Sequence, residues 1–368
     1  MHRNRFIFFA ITAVTMLGSA SLFAIEYPYM YRSAYFLGRG DTGIAIADDQ
    51  EAIFYNPAGV ATGTGIFKKI VLEDIMLELS KDSRDVANQI SLQKSSPTET
   101  LRKHLGIPQH FGANFFAGII LRQAAIGVFG HDSTSTMLYK DPGEGRSLES
   151  ISAHSVSDGG VTFSLARKFF DHVYVGITAK FLKRLQASID LNATETSRLE
   201  ELKDSDRFAM LGTGGGADLG FMYRLPGRSP LSFGLTINDV GGTSFTPDNA
   251  TELPAEEWPL QPIEQTVNVG FAIEPGTRLS KIRLLADYRD ILDATKQDAT
   301  KKVHIGTELT VLDVIGFTGG LNQGYPTAGF YLDTKLLRLD IGGYTEELGD
   351  SPGSRPDQRF YFSLACGF

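Results

Sequence analysis

The chain has 368 residues, a formal net charge of −8 and a single cysteine, Cys366. One cysteine excludes an internal disulfide framework and a cysteine-built metal site. An acidic chain without a basic block argues against nucleic acid as a partner.

In chain order the first element is an export signal. Arg3 and Arg5 precede an apolar run from Phe6 to Leu17, followed by the small residues Gly18, Ser19, Ala20 and Ser21. This is the layout of a cleaved signal peptide over residues 1–24, cut after Ala20 or after Ala24. A spanning helix would need about 20 apolar residues. Removal of Arg3 and Arg5 takes the charge from −8 to −10. No later stretch is apolar enough to cross a bilayer as a helix, and the mean hydropathy is −0.08. That value has little force against a β-barrel, whose strands hide their apolar face in alternation.

Residues 25–65 lack sustained alternation and read as a separate segment. It holds Gly38-Arg39-Gly40-Asp41, Ala47-Asp48-Asp49 and Phe54-Tyr55-Asn56-Pro57-Ala58-Gly59. The glycines at 38, 40 and 43 permit tight turns and close approach to a wall. Asn56 before Pro57 predicts a turn, because proline biases its predecessor away from helix. Arg39, Asp41, Asp48 and Asp49 would be costly in an apolar core. They suit a polar lumen, with wall residues such as Glu308, Asp287 or Lys180 as partners.

From about residue 110 the chain reads as strands of period two, with a first strand taken at about 66–82. Leu231, Phe233, Leu235 and Ile237 alternate with Ser232, Gly234, Thr236 and Asn238; Val173 to Phe181 and Val303 to Val311 repeat the pattern. The predicted strands are 66–82, 110–121, 124–139, 151–168, 172–190, 207–225, 230–245, 265–275, 280–291, 301–312, 315–323, 327–336, 337–346 and 358–368. That makes fourteen. Every second connection is tight and those between are mostly long, the pattern of short periplasmic turns and longer external loops. The predicted fold is all-β: a transmembrane antiparallel β-barrel over 66–368, plugged inside its lumen by residues 25–65. Phe116, Ile120, Leu182 and Leu285 give the lumen face an apolar part.

Several smaller features follow. Ser96-Pro97-Thr98-Glu99, with Leu101 and Leu105, fits a capped helix in the long connection 83–109. Gly212, Gly214, Gly215 and Gly216 sit inside one strand, and Gly159 and Gly160 inside another. Glycine there marks a bulge, a kink in the wall or steric room for the plug. Asn192 and Asn249 match glycosylation acceptors and read as loop turns, and Trp258 lies in a proline-rich loop. No catalytic constellation stands out; His154 with Ser152 or Ser155 is the nearest local pairing. The reading is of a non-enzyme without metal or cofactor.

The run Leu37 to Ala61, with Gly-Arg-Gly, Ala-Asp-Asp and Phe-Tyr-Asn-Pro-Ala-Gly, resembles the hatch region of the FadL superfamily of outer-membrane transporters. The resemblance implies a fourteen-stranded barrel, the number counted above without it. It implies a gate built on Gly38, Arg39, Gly40, Asp41, Asp48, Asp49, Phe54, Asn56, Pro57 and Ala58, and a wall kink as lateral exit. It implies transport of hydrophobic small molecules such as long-chain fatty acids. The superfamily's PorV-like branch implies instead an accessory barrel with a protein-secretion partner, and a structural barrel without transport is a third reading. All place the chain in the outer membrane of a diderm bacterium, in contact with its lipid bilayer. The last strand ends on Phe360, Phe362, Leu364, Cys366 and Phe368 facing one way, which resembles the signal read by the barrel-assembly machinery.

Overall fold

The computed structural model describes residues 29–63, 67–83, 105–141, 148–192, 209–225, 231–248, 260–276, 280–349 and 352–367. The signal peptide, the capped helix after Ser96, Asn249, Trp258 and Phe368 lie outside the described residues, as does the side chain of Asn192.

The strands are β1 (Phe67–Ser80), β2 (Gln109–Leu121), β3 (Ala124–Asp141), β4 (Leu148–Phe169) and β5 (Val173–Asn192). They continue with β6 (Ala209–Arg224), β7 (Leu231–Asn238), β8 (Phe245–Pro247), β9 (Thr266–Ile273) and β10 (Ser280–Tyr288). The last are β11 (Val303–Val311), β12 (Ile315–Asn322), β13 (Tyr325–Asp333), β14 (Leu337–Glu347) and β15 (Pro356–Gly367). Neighbours pair antiparallel around the ring, β1 closes on β15, and β5 pairs with β6. The three-residue β8 pairs only with β6, along Gly212 to Gly214. The wall is therefore a closed barrel of fourteen strands.

The predicted strands sit where expected, their ends within three residues of those predicted except after β7, and two of the differences have a local cause. The alternation predicts one strand over 230–245, whereas β7 stops at Asn238. Asp239, Gly241 and Gly242 have φ of 51°, 80° and 78°, a left-handed path that turns the chain out of the ladder before β8 resumes it. Conversely, β13 begins two residues earlier than predicted. Gln323 and Gly324 have φ of 53° and 86° and form the whole connection, since Asn322 pairs with Tyr325. Positive φ at both turn residues matches the twist of a two-residue hairpin. Pro326 is accommodated because β14 pairs only from Ala328 onward, so its missing N–H is not needed there.

The alternation is inverted relative to a water-soluble sheet. On β11, Ile305 and Leu309 are 46% and 40% exposed, whereas His304 and Glu308 are each 1% exposed. The same holds for Ile126 and Val128 on β3, Phe163 and Leu165 on β4, and Phe360 and Phe362 on β15, all exposed. An outward apolar band of this extent is stable only against hydrocarbon. The barrel thus crosses a lipid bilayer with strands. Among the described residues no helix is long and apolar enough to do so.

Candidate functional site: the inner segment and its cavity

Residues 29–63 lie inside the ring and are almost wholly buried. Three single turns shape them: α-helical Ala34–Leu37 and Ala52–Tyr55, and 3-10 helical Pro57–Ala61. Such short turns are not stable by themselves; their contacts to the wall hold them. Asn56 shows how the Asn-Pro-Ala motif works. Its extended backbone, φ −159°, places Pro57 at the first helical position, and Oδ1 accepts from the Ala58 N–H at 3.1 Å. Its Nδ2 donates to the Ile44 carbonyl at 2.7 Å and to the Phe221 carbonyl of β6 at 3.1 Å. One side chain thereby ties the turn, the segment and the wall together.

The segment meets two different halves of the wall. Over β2 to β6 the contact is apolar. Phe54 stacks on Tyr31 with centroids 4.3 Å apart, and meets Phe116 and Phe129 edge-on at 5.9 and 5.4 Å. Ile120, Leu182 and Met222 complete this core. Phe116, Ile120, Leu182 and Leu285 are all buried, as their position on the lumen face requires. Over β1 and β10 to β15 the contact is mainly ionic, its apolar part being Ala34 and Leu37 with Met76, Tyr344 and Tyr361, and Ala45 and Ile46 with Leu285.

Arg39 Nη1 is 2.6 Å from Glu308 Oε2, and its guanidinium lies 4.0 Å over the Tyr35 ring and 4.1 Å over Phe36. Glu308 also accepts from Tyr35 and Tyr331 hydroxyls at 2.8 and 2.7 Å, from Thr310 at 2.9 Å and from Arg283 at 3.2 Å. Asp41 is held by Arg289 at 2.8 Å and by the Tyr55 hydroxyl at 2.6 Å. Burial pushes the Asp41 carboxyl up; Arg289, then Arg32 and His304, and the Tyr55 hydroxyl more than offset it and keep it below the usual carboxylate range. Arg32 pairs with Glu346 at 3.0 Å and donates to Tyr344, which donates to Glu78. Asp287 accepts from the backbone N–H groups of Gly43 and Ile44 at 2.7 and 3.2 Å.

Of the partners anticipated for these charges, Glu308 binds Arg39 and Asp287 binds the backbone. Lys180 does neither: it bridges Asp218 and Asp239 at 2.7 and 2.8 Å. Asp48 and Asp49 lie at the edge of the segment, where the Asp48 carbonyl accepts from Lys68 and Asp49 is 3.5 Å from Lys69.

Sequence reasoning missed a shelf of glycines beneath the segment. Gly176 pairs with Gly220, Gly234 with Gly270, and Gly306 with Gly320 across adjacent strands. A Cβ on Gly176 would fall 2.4 Å from the Pro57 backbone, one on Gly234 2.3 Å from the Ile44 carbonyl oxygen, and one on Gly306 2.2 Å from the Arg39 carbonyl oxygen. Gly40 completes the fit from the other side, with φ of +73° and a virtual Cβ 2.2 Å from the Ile305 carbonyl oxygen. The signal was present as glycine recurring at inward positions of strands. Gly212, Gly214 and Gly216 make room differently, for Leu260, Phe245 and Thr243. Gly215 has only ordinary contacts, and Gly159 and Gly160 lie in an unbroken ladder between β3 and β5. Ser155 bonds Thr134 at 2.9 Å, and strand alternation puts His154 on the other face.

Glu51 is buried against Ser33, and burial pushes its carboxyl up to about 7, opposed by Lys69 and reinforced by Asp49 and Asp74. A raised carboxyl means that the folded state binds more protons than the unfolded one between their two pKa values. Stability is therefore expected to fall as pH rises from about 5 to 7, by at most about 1.4 kcal/mol per pH unit. Apparent Tm measured across that range checks it, and Glu51→Gln should flatten the slope.

Beside the segment is a cavity of about 100 Å³. Met30, Tyr31, Ile44, Phe54 and Tyr55 form one side, and Lys180, Asp218, Asp239, Ile263 and Arg289 line the rest. It lies where β7, β9 and β10 run into their long connections.

No protein-family model matches the sequence, and no curated protein matches it. Solved structures do. The crystal structure of the Pseudomonas putida toluene transporter TodX aligns with a TM-score of 0.52 over 93% of this chain and 99% of its own, at 11% identity. A deltaS2 mutant of TodX, described as a monoaromatic hydrocarbon channel, aligns at 0.51 over 92% and 99%, at 10% identity. These neighbours are a transporter and a channel, not enzymes. Ring closure, strand number and these alignments together give the chain the fold of the FadL-type outer-membrane transporters.

Proposed function

We propose that this protein carries hydrophobic small molecules across the outer membrane of a diderm bacterium. The observation that carries the reading is the aromatic-lined cavity beside the inner segment, on the side of the long connections. A molecule enters there from outside and rests against Tyr31, Phe54 and Tyr55. It passes when the segment bearing Gly38 to Asp49 and Phe54 to Ala58 shifts, with the glycine-rich stretch of β6 as a candidate lateral exit. Each buried methylene contributes about 0.8 kcal/mol. Long-chain fatty acids are the class the sequence resemblance implies, and hydrocarbons are the cargo named for TodX. The chain reaches its membrane by a cleaved signal peptide and the barrel-assembly machinery acting on its last strand.

Native mass spectrometry of the protein, extracted in mild detergent from its own membrane, tests this. The expected result is a discrete adduct that dissociates as a hydrophobic small molecule. A clean apo mass bound stoichiometrically to an exported protein would replace transport with the secretion-accessory reading.

A further inference from the structure

The cavity has a polar end whose charge specifies more than an apolar cargo. Lys180 is shared by Asp218 and Asp239, one ammonium between two carboxylates. Asp218 and Asp239 are 1% and 5% exposed. Their Oδ1 atoms are occupied: Asp218 Oδ1 accepts from the Asp239 N–H at 2.8 Å and Asp239 Oδ1 from the Thr243 hydroxyl at 2.7 Å, besides Lys180. Among the described residues, no partner is recorded for either Oδ2. The other cation of the cavity, Arg289, is spent on Asp41. The cavity thus offers acceptor oxygens and a net negative charge, and no uncommitted cation.

We infer that the cavity selects a small protonated amine on a one-ring apolar body and disfavours a carboxylate. The ammonium would donate to the open Oδ2 atoms of Asp218 and Asp239, while the ring packs on Phe54 and Ile263. Size sets a limit: an apolar cavity of about 150 Å³ takes benzene, so roughly 100 Å³ holds the ammonium and no more than part of a single ring. Charge agrees, because a carboxylate would meet two carboxylates sharing one counter-ion. The inference rests on the transport reading for the route by which such a molecule arrives.

Calorimetric titration of the full chain in detergent at neutral pH, with benzylamine, benzyl alcohol and benzoate, tests it. The three share a ring and differ in the head group. The expected order is benzylamine, then benzyl alcohol, then benzoate, with roughly tenfold between amine and alcohol, as one charge-assisted hydrogen bond supplies. Asp239→Asn and Asp218→Asn, each checked for intact heat-modifiable mobility, should each erase that preference while leaving benzyl alcohol within about twofold. Benzoate binding as well as benzylamine, no binding of any probe, or an order unchanged in both variants would overturn the inference. A native hydrophobic adduct without amine preference sinks this inference and leaves the transport reading standing. Amine preference with only a protein partner in the native extract does the reverse.

Discussion

Glu308→Ala is expected to cost about 3–5 kcal/mol, the range for removing one partner of a buried ion pair. The loss should fall on the inner segment rather than on the wall. Glu308 is the acceptor at which Arg39 and Tyr35 of the segment meet Arg283, Tyr331 and Thr310 of the barrel. Without it, the buried Arg39 guanidinium loses the one carboxylate it pairs with among the described residues, whereas Arg283 keeps Glu274 at 2.8 Å and Arg338, 3.9 Å over Tyr35, keeps Asp340 at 2.9 Å. The segment would leave its place to hydrate Arg39. Limited proteolysis should then cut within residues 29–63 while the barrel keeps its heat-modifiable mobility. Glu308→Gln keeps the shape and some hydrogen bonds and should have a smaller effect. If Glu308→Ala left the segment as resistant to protease as the parent, the ionic half of the contact would not be what holds it.

Gly306→Val should have a comparable effect by a different cause. Its Cβ would stand 2.2 Å from the Arg39 carbonyl oxygen and 2.3 Å from Thr42 Oγ1. Backbone cannot rotate away as a side chain can, so either the segment or the strand must move; overpacking of this kind costs about 1–3 kcal/mol, occasionally more. The wall is paired on both edges of β11, so the segment is the part that yields. Gly159→Ala, where the nearest atom would be 3.7 Å away, should be nearly neutral. Comparing hydrogen exchange in residues 38–47 for the two variants checks this: raised exchange in the first and parent-like exchange in the second.

The barrel was legible because the bilayer forces strict alternation, and the long β3 to β5 repeat it many times over. What alternation cannot report is where a ladder stops. The predicted strand 230–245 ran on through a turn made by Asp239, Gly241 and Gly242, and the predicted start at 327 missed that Tyr325 and Pro326 already pair with β12. In the inner segment, the Asn56-Pro57 turn and the Arg39–Glu308 pair were readable from residue chemistry and strand parity. Arg289 falls inside the predicted strand 280–291 with the parity of Asp287, but nothing in the sequence singled it out as the partner of Asp41. Lys180 has the right parity but sits beside Asp218 and Asp239 rather than the segment, and height along a barrel is not written in parity. The glycine shelf was hidden for the same reason, since its members are far apart in sequence and share only a level in the ring.

The account turns on the inner segment filling the barrel. Single-channel conductance in planar bilayers tests this directly, comparing the intact protein with one in which residues 29–63 are replaced by a short Gly-Ser linker. The intact protein should pass little current, and the replaced form should open a large, steady pore. An intact protein that conducts as freely as the replaced form would contradict the account.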